Sequence, residues 1–175
     1  IRLLSLINDI IELSELDVMD GEMSTTDINL TEEALNCVNM LQMNASKHGV
    51  TITFDKKSDD CVIKANKDMI QEVIFNLCDN AIRYNKKDGK VEVSVTQKGN
   101  NISLKVKDNG IGIPKKEQKR VFERFYRVDK ARSKKTGGTG LGLAIVKHIA
   151  EQHKAEILIE SQPNEGTTIS VIFKK

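Results

Sequence analysis

Gly137-Gly138-Thr139-Gly140-Leu141-Gly142-Leu143 places four glycines in six positions directly ahead of a segment with helical apolar periodicity, Leu141 to about His153. Glycine allows positive φ and close approach of the backbone to a ligand. A helix start adds unpaired N–H groups and the positive end of the macrodipole, so the stretch reads as a junction built to receive a phosphate chain. A P-loop needs Lys and Ser or Thr behind its last glycine, where this chain has Leu143 and Ala144. Alone, the cluster suits a flexible linker better. Two further blocks point to nucleotide binding: Asp108-Asn109-Gly110-Ile111-Gly112-Ile113, and a helix from Lys67 to about Tyr84 that carries Asn76 and Asn80 one turn apart.

On that helix Ile70, Val73, Ile74, Leu77 and Ala81 form the stripe expected against a sheet, and Glu72, Asn76, Asn80 and Arg83 line a second face. Asparagine is a poor helix former, and two in mid-helix are either solvated or functional. Their amide oxygens are hard ligands suited to Mg²⁺, while Arg83 can answer phosphate charge. Tyr84 adds a ring at the same end, for a ligand or for the core. Asp108 ends an alternating strand; its carboxylate only accepts hydrogen bonds, so at a pocket floor it can read an exocyclic amine such as that of adenine. Asp-Asn-Gly also suits a plain turn, but that leaves Gly112 and Pro114 without a role. The run Phe122 to Arg127 leads into a basic stretch, Val128 to Thr136, which reads as a lid closing over polyphosphate through Arg127 or Lys130, with Phe122 and Phe125 as anchors. Lys134 and Lys135 read as solvated.

Outward from these blocks, alternation marks strands at Val50–Phe54, Val91–Val95 and Ile102–Val106, the last two joined as a hairpin across Gly99 and Asn100, and at Ala155–Ser161 and Thr168–Phe173. Thr31, followed by Glu32 and Glu33, reads as the N-cap of a helix buried through Ala34, Leu35, Val38, Leu41 and Ala45. Pro114 suits the first position of a short helix reaching about Phe122. Helices and strands mix, with neighbouring strands paired, so the fold class is α+β: a two-layer sandwich with a mixed, mostly antiparallel sheet and helices on one face. Residues 1 to about 19 carry two apolar seams, as a bundle helix does, and Asp20-Gly21 with the polar run to Asp27 marks the boundary between residues 1–24 and 25–175.

With 175 residues and 39% apolar content the chain supports a real core. No run approaches the roughly 20 apolar residues of a membrane span, and Ile1-Arg2-Leu3 lacks both a targeting segment and a Met start, which reads as an excised fragment. A net charge of +2 among 30% charged residues argues against nucleic acid as the main partner. Three widely spaced cysteines, Cys37, Cys61 and Cys78, fit reduced cytosolic thiols, with Cys37 and Cys78 as small helix-core residues.

In this order the blocks closely resemble the catalytic and ATP-binding domain of bacterial sensor histidine kinases, in the superfamily that includes gyrase, Hsp90 and MutL. Asn76–Tyr84 resembles the N box, Asp108–Gly112 the first glycine box, Phe122–Phe125 the F box and Gly138–Leu143 the second glycine box; the overall flavour is that of phosphate-regulon-type sensors. The resemblance implies ATP and Mg²⁺ as ligands. Asn76 and Asn80 then hold the metal, Tyr84 packs on adenine, Asp108 takes its amino group, and Gly110, Gly112, Ile113, Lys130, Gly138, Thr139, Gly140, Leu141, Gly142, Leu143 and Thr167 complete the nucleotide contacts. Arg83 stands where relatives often carry Lys, and Arg127 matches the arginine facing the γ-phosphate. Asn164 stands where the last glycine box has glycine; asparagine tolerates the same left-handed backbone.

The resemblance further implies a homodimer through the N-terminal bundle helix, a response-regulator receiver domain as partner, and a cytoplasmic domain of a membrane-anchored sensor. His48, His148 and His153 lack the sequence context of a phosphorylated helix, so the acceptor histidine is expected outside this chain. Hydrolytic relatives carry a glutamate base where this chain has Asn76, which disfavours a plain ATPase. A serine kinase acting on an anti-sigma partner fits the bundle helix poorly, and intact Asn80, Asp108 and Gly140 speak against a degenerate module.

Overall fold

The computed structural model describes residues 23–59, 61–128 and 138–175, together with the helical positions Ile7 and Ile11. The element order is β1 (Thr26–Asn29), α1 (Leu30–Lys47), β2 (Val50–Lys56), β3 (Val62–Ala65), α2 (Lys67–Arg83), β4 (Gly89–Lys98), β5 (Asn101–Asp108), α3 (Gly142–Gln152), β6 (Glu156–Gln162) and β7 (Gly166–Lys174). Five strands form one sheet in the order β2-β4-β5-β7-β6, in which β2 and β4 run parallel and the other pairs antiparallel. This is the mixed, mostly antiparallel α+β sandwich expected from the sequence.

Alternation fixes the register. Val93, Val106 and Ile169 stand opposite one another across β4, β5 and β7, as do Val95, Leu104 and Val171, and all six are buried beneath the helices. Slipping any strand by one residue would turn its apolar row to water, so one pairing is strongly preferred. Gly99 turns the β4–β5 hairpin at φ +58°, where glycine carries no steric cost.

The helices start where their caps dictate. Asn66 caps α2 by accepting the Met69 N–H at 3.1 Å. For α1 the cap is Asn29 rather than Thr31: its Oδ1 accepts the N–H groups of Thr31 and Glu32, and Thr31 itself is buried within the first turn. Pro114 does not open an α-helix either. Turns span 115–119 and end in a single 3-10 turn, Arg120–Phe122. The strands β1 and β3, absent from the sequence reading, pair with each other as a separate antiparallel ribbon. The proposed bundle helix lies outside the described residues except for Ile7 and Ile11, whose side chains are exposed.

Candidate nucleotide site

The packing of α2 on the sheet through Ile70, Val73, Ile74 and Leu77 leaves Glu72, Asn76, Asn80 and Arg83 along the wall of a cavity of about 280 Å³. Asn76 Nδ2 donates to the Glu72 carboxylate at 2.6 Å and to the Glu72 carbonyl at 3.0 Å. That commits its N–H₂ group and leaves Oδ1 as the free acceptor. Asn80, one turn on, has no partner for its carboxamide among the described residues. Arg83 is tied through Nε to Asp79, which also accepts from Asn44 Nδ2 at 3.4 Å.

Opposite this wall, β5 delivers Asp108. Its Oδ1 accepts two backbone N–H groups, from Gly110 at 2.8 Å and Thr167 at 3.3 Å. Oδ2 has no partner among the described residues, in a cavity whose apolar floor is the cross-strand pair Val106 and Ile169. Burial raises the carboxyl to about 6, the two N–H donors opposing. The loop behind it is held by Ile111 N–H to the Tyr84 carbonyl, 3.2 Å, and by Asn164 N–H to the Ile111 carbonyl, 2.7 Å. Gly112, at φ +67°, approaches the 163–165 turn so closely that a Cβ would lie 1.8 Å from the Gln162 carbonyl oxygen. Asn164 does adopt the left-handed backbone, φ +66°.

The third wall is the start of α3 with the segment 126–128. The Leu141 side chain does not cap α3; the Leu141 N–H donates to Thr139 Oγ1 at 3.4 Å, and the N–H groups of Gly142 and Leu143, which line the cavity, have no side-chain acceptor among the described residues. Gly142 meets Asn76 there: a Cβ would sit 2.7 Å from Asn76 Oδ1. The Phe125 N–H donates to the Gly140 carbonyl at 3.0 Å and fastens the segment to the glycine loop. Arg127 lines the cavity with Nε and Nη2 buried and without hydrogen-bond partners. Buried guanidinium nitrogens are costly to leave unpaired, and an anion in the cavity would satisfy them.

Of the residues singled out from sequence, Asn76, Asn80, Arg83, Tyr84, Asp108, Gly112, Ile113, Arg127, Gly138, Thr139, Gly140, Gly142, Leu143 and Thr167 line this one cavity. Gly110 and Leu141 do not. Gly110 acts from behind, through its N–H on Asp108, and Leu141 is wholly buried in the core. Lys130 and the rest of the proposed lid beyond Val128, 129–136, lie outside the described residues, as does Gly137. Phe122 packs against the core as an anchor should, but Phe125 does not: the residue is 57% exposed on a backbone at φ +61°. Sequence reasoning missed Val106, Ile169, Ile111 and Tyr126 in the lining. The first two were discoverable, since each stands two residues from a site residue, on the same face of its strand.

A helix-on-sheet sandwich whose cavity joins a buried carboxylate, unpartnered carboxamide oxygens and an uncapped helix start is a nucleotide-binding α+β fold. The profile of the histidine kinase-, DNA gyrase B- and HSP90-like ATPase family matches residues 65–175. The chain belongs to that family. It is 40% identical over 170 residues to the sensor-like histidine kinase SenX3 of Mycolicibacterium smegmatis, covering 97% of this chain and 44% of SenX3, so it spans less than half of that relative's length. The catalytic domain of histidine kinase ThkA superposes with a TM-score of 0.76 at 25% identity, over 87% of this chain and 97% of that one. Full-length ShkA in complex with AMPPNP shares the fold with a TM-score of 0.85 at 22% identity, over 98% of this chain and 35% of ShkA. No described helix is long and apolar enough to cross a membrane.

Proposed function

We propose that residues 25–175 are the ATP-binding catalytic domain of a sensor histidine kinase and that residues 1–24 are the end of its dimerisation helix. The domain passes the γ-phosphoryl group of ATP to a histidine on that bundle, for relay to an aspartate of a response-regulator receiver domain. The full protein is a homodimer anchored in the membrane, with this domain on the cytoplasmic side. The observation that carries the reading is Asp108: one oxygen saturated by backbone, the other unpartnered in the wall, above the Val106–Ile169 floor. That combination selects a flat apolar ring with an exocyclic N–H donor.

The Asn76 oxygen and the unpartnered Asn80 carboxamide suit Mg²⁺, which prefers hard oxygen ligands and is shared with substrate phosphates. Bound there, the ion offsets phosphate charge. Arg127 lies where its orphan nitrogens can stabilise charge on the terminal phosphate, Arg83 and the α3 N-terminus assist, and Tyr84 flanks the base. None of the three histidines lines the cavity, so the acceptor imidazole comes from elsewhere. The bond from the γ-phosphorus to the bridging oxygen breaks as the nitrogen–phosphorus bond forms, and ADP departs.

The decisive experiment incubates the chain with labelled ATP, Mg²⁺ and a separately supplied acceptor bundle. Label appears on the acceptor histidine, and Asn80→Asp and Asp108→Asn each weaken ADP binding in titration calorimetry. Unchanged affinity in both variants removes the site assignment. Release of inorganic phosphate without acceptor labelling removes the kinase reading and leaves the nucleotide site standing.

A further inference from the structure

Ser161, near the end of β6, does not line the cavity, yet its hydroxyl joins three of the segments that frame Asp108. The oxygen receives the Ile113 N–H at 2.7 Å and lies 2.9 Å from the Gly166 carbonyl oxygen and 2.8 Å from Thr167 Oγ1. Gln118 Nε2 donates to the carbonyls of Ile113 and Ser161, at 3.0 and 2.8 Å, and holds the same junction together. Gly166 sits directly on the Asp108 backbone: a Cβ there would lie 2.0 Å from the Asp108 carbonyl oxygen. Thr167, unlike Ser161, lines the cavity, and it gives its N–H to Asp108 Oδ1.

The donor inventory fixes the direction of these bonds. A serine hydroxyl has one proton to give and two lone pairs that receive. An amide N–H only donates and a carbonyl oxygen only accepts, so Ser161 receives from Ile113 and gives its proton to Gly166. The bond to Thr167 is then one in which Ser161 accepts. Thr167 therefore donates its own hydroxyl proton to Ser161 and keeps only lone pairs for anything else. The reverse assignment would leave two acceptor oxygens, those of Ser161 and Gly166, 2.9 Å apart with no proton between them, which is unfavourable.

We propose that Ser161 is a positioning residue for base selection: by holding the Thr167 proton it turns that hydroxyl into a pure acceptor beside Asp108, so this edge of the site takes N–H donors and rejects carbonyl oxygens. The inference rests on the nucleotide reading of the cavity and deepens it, from a pocket for a purine to one that separates 6-amino from 6-oxo purines.

The test is titration calorimetry of the whole chain with ADP and with IDP, whose hypoxanthine carries a carbonyl where adenine carries its amine. Wild type should favour ADP by about a hundredfold. In Ser161→Ala the Thr167 hydroxyl can turn and donate, so IDP affinity should rise about fivefold while ADP affinity changes less than about twofold. That gain is the signature, because lost packing or a lost Ile113 bond would weaken both nucleotides and strengthen neither. Thr167→Ser keeps the held hydroxyl and should keep the wild-type ratio. Thr167→Val removes the hydroxyl without touching the Ser161 bonds to Ile113 and Gly166, and should lower the ratio through weaker ADP binding; it carries the test if Ser161→Ala does not fold. A ratio in Ser161→Ala equal to or above that of wild type overturns the proposal, as does an unchanged ratio in Thr167→Val, and in both cases ADP binding by wild type leaves the nucleotide reading standing. A wild type that binds neither ADP nor IDP overturns that reading and this inference with it.

Discussion

The floor of the cavity and its rim are built on opposite principles. At the floor, polar groups are largely paired before any ligand arrives: Asp108 Oδ1 takes two backbone N–H groups, and Asn76 Nδ2 is fixed by Glu72. At the rim, Arg127 keeps two buried nitrogens unpaired and α3 begins without a side-chain cap. A preorganised floor takes a ligand at little cost in ordering. An unsatisfied rim costs the fold something and is relieved by an anion, so ligand charge is stabilised where the protein alone is not.

The largest test of this contrast is Gly112→Ala, at the back of the floor. A β-carbon at φ +67° and 1.8 Å from the Gln162 carbonyl combines backbone strain with a backbone clash, and about 3 kcal/mol of stability should be lost. Denaturant unfolding measures it, and a variant as stable as wild type would show that the floor is not rigid. Next comes Asp108→Asn. It replaces an acceptor by an amide whose N–H₂ opposes the exocyclic amine, and affinity for ADP should fall by about a hundredfold, near 3 kcal/mol.

The same substitution carries a pH signature. The native carboxyl, raised to about 6, binds a proton that the unfolded chain, at the ordinary aspartate value of 3.8, has already released. Stability from this group is therefore complete below the unfolded value and is lost as pH rises through about 6. At pH 8, then, Asp108→Asn should stabilise the ligand-free protein by about 1–2 kcal/mol, a gain that shrinks as pH falls through the same window. Nucleotide affinity of the wild type runs the other way, weakening below pH about 6 as the carboxylate acquires a proton, and the variant should show a flat profile. A flat wild-type profile would deny Asp108 its acceptor role.

At the rim the expected effects are smaller and separate function from stability. Arg127→Met keeps the apolar stem and removes the orphan nitrogens. Ligand-free stability should hold or rise by about 1 kcal/mol, while ATP affinity drops about tenfold and ADP affinity less. Equal losses for the two nucleotides would move Arg127 away from the terminal phosphate. Gly142→Ala tests the point where rim meets wall. Alanine is the better helix residue, but its β-carbon would press on Asn76 Oδ1, the movable end of a side chain, at 2.7 Å. Melting temperature should therefore be kept while the Mg²⁺ dependence of nucleotide binding weakens a few-fold.

How much of this was legible in the sequence follows the same division between local and distant contacts. The faces of α2 and the β4–β5 hairpin are written in spacing and residue type, the left-handed Asn164 follows from the family resemblance, and the structure has all three. Elements set by distant partners were not readable. Among the described residues the four-residue strands β1 and β3 have only each other as strand partners, and Asn29 outcompetes Thr31 as cap because Thr31 is buried. Pro114 fixes one φ, but Lys115, Lys116, Gln118 and Lys119 supply no apolar stripe to hold a helix, so only turns and one 3-10 turn form. The Val106–Ile169 floor exists only once β5 pairs with β7. Tyr126 enters the lining because Arg120 stacks 4.1 Å from its ring centroid and Glu117 accepts its hydroxyl.

The smallest effect lies behind the floor, where α3 ends against the start of α2. His153 accepts the Asn66 N–H through Nε2 at 3.1 Å, so Nδ1 carries the proton and donates to the Ile149 carbonyl at 2.8 Å. Asn66 is the cap of the helix that carries Asn76 and Asn80, so this imidazole supports the wall without lining the cavity. Burial holds its pKa below the usual histidine value, the Ile149 bond opposing. The neutral ring is thus favoured by folding: its contribution is present above pH about 6.5 and is lost as pH falls through the lower native value. His153→Gln offers a side-chain oxygen to Asn66 without a titrating ring. It should cost less than about 1 kcal/mol at pH 8 and remove part of the acid sensitivity between pH 7 and 5, opposite in slope to the Asp108 term. Melting curves of the two single variants and the double variant across that range separate them, and additivity is expected, because no hydrogen bond or ion pair links the two residues among those described.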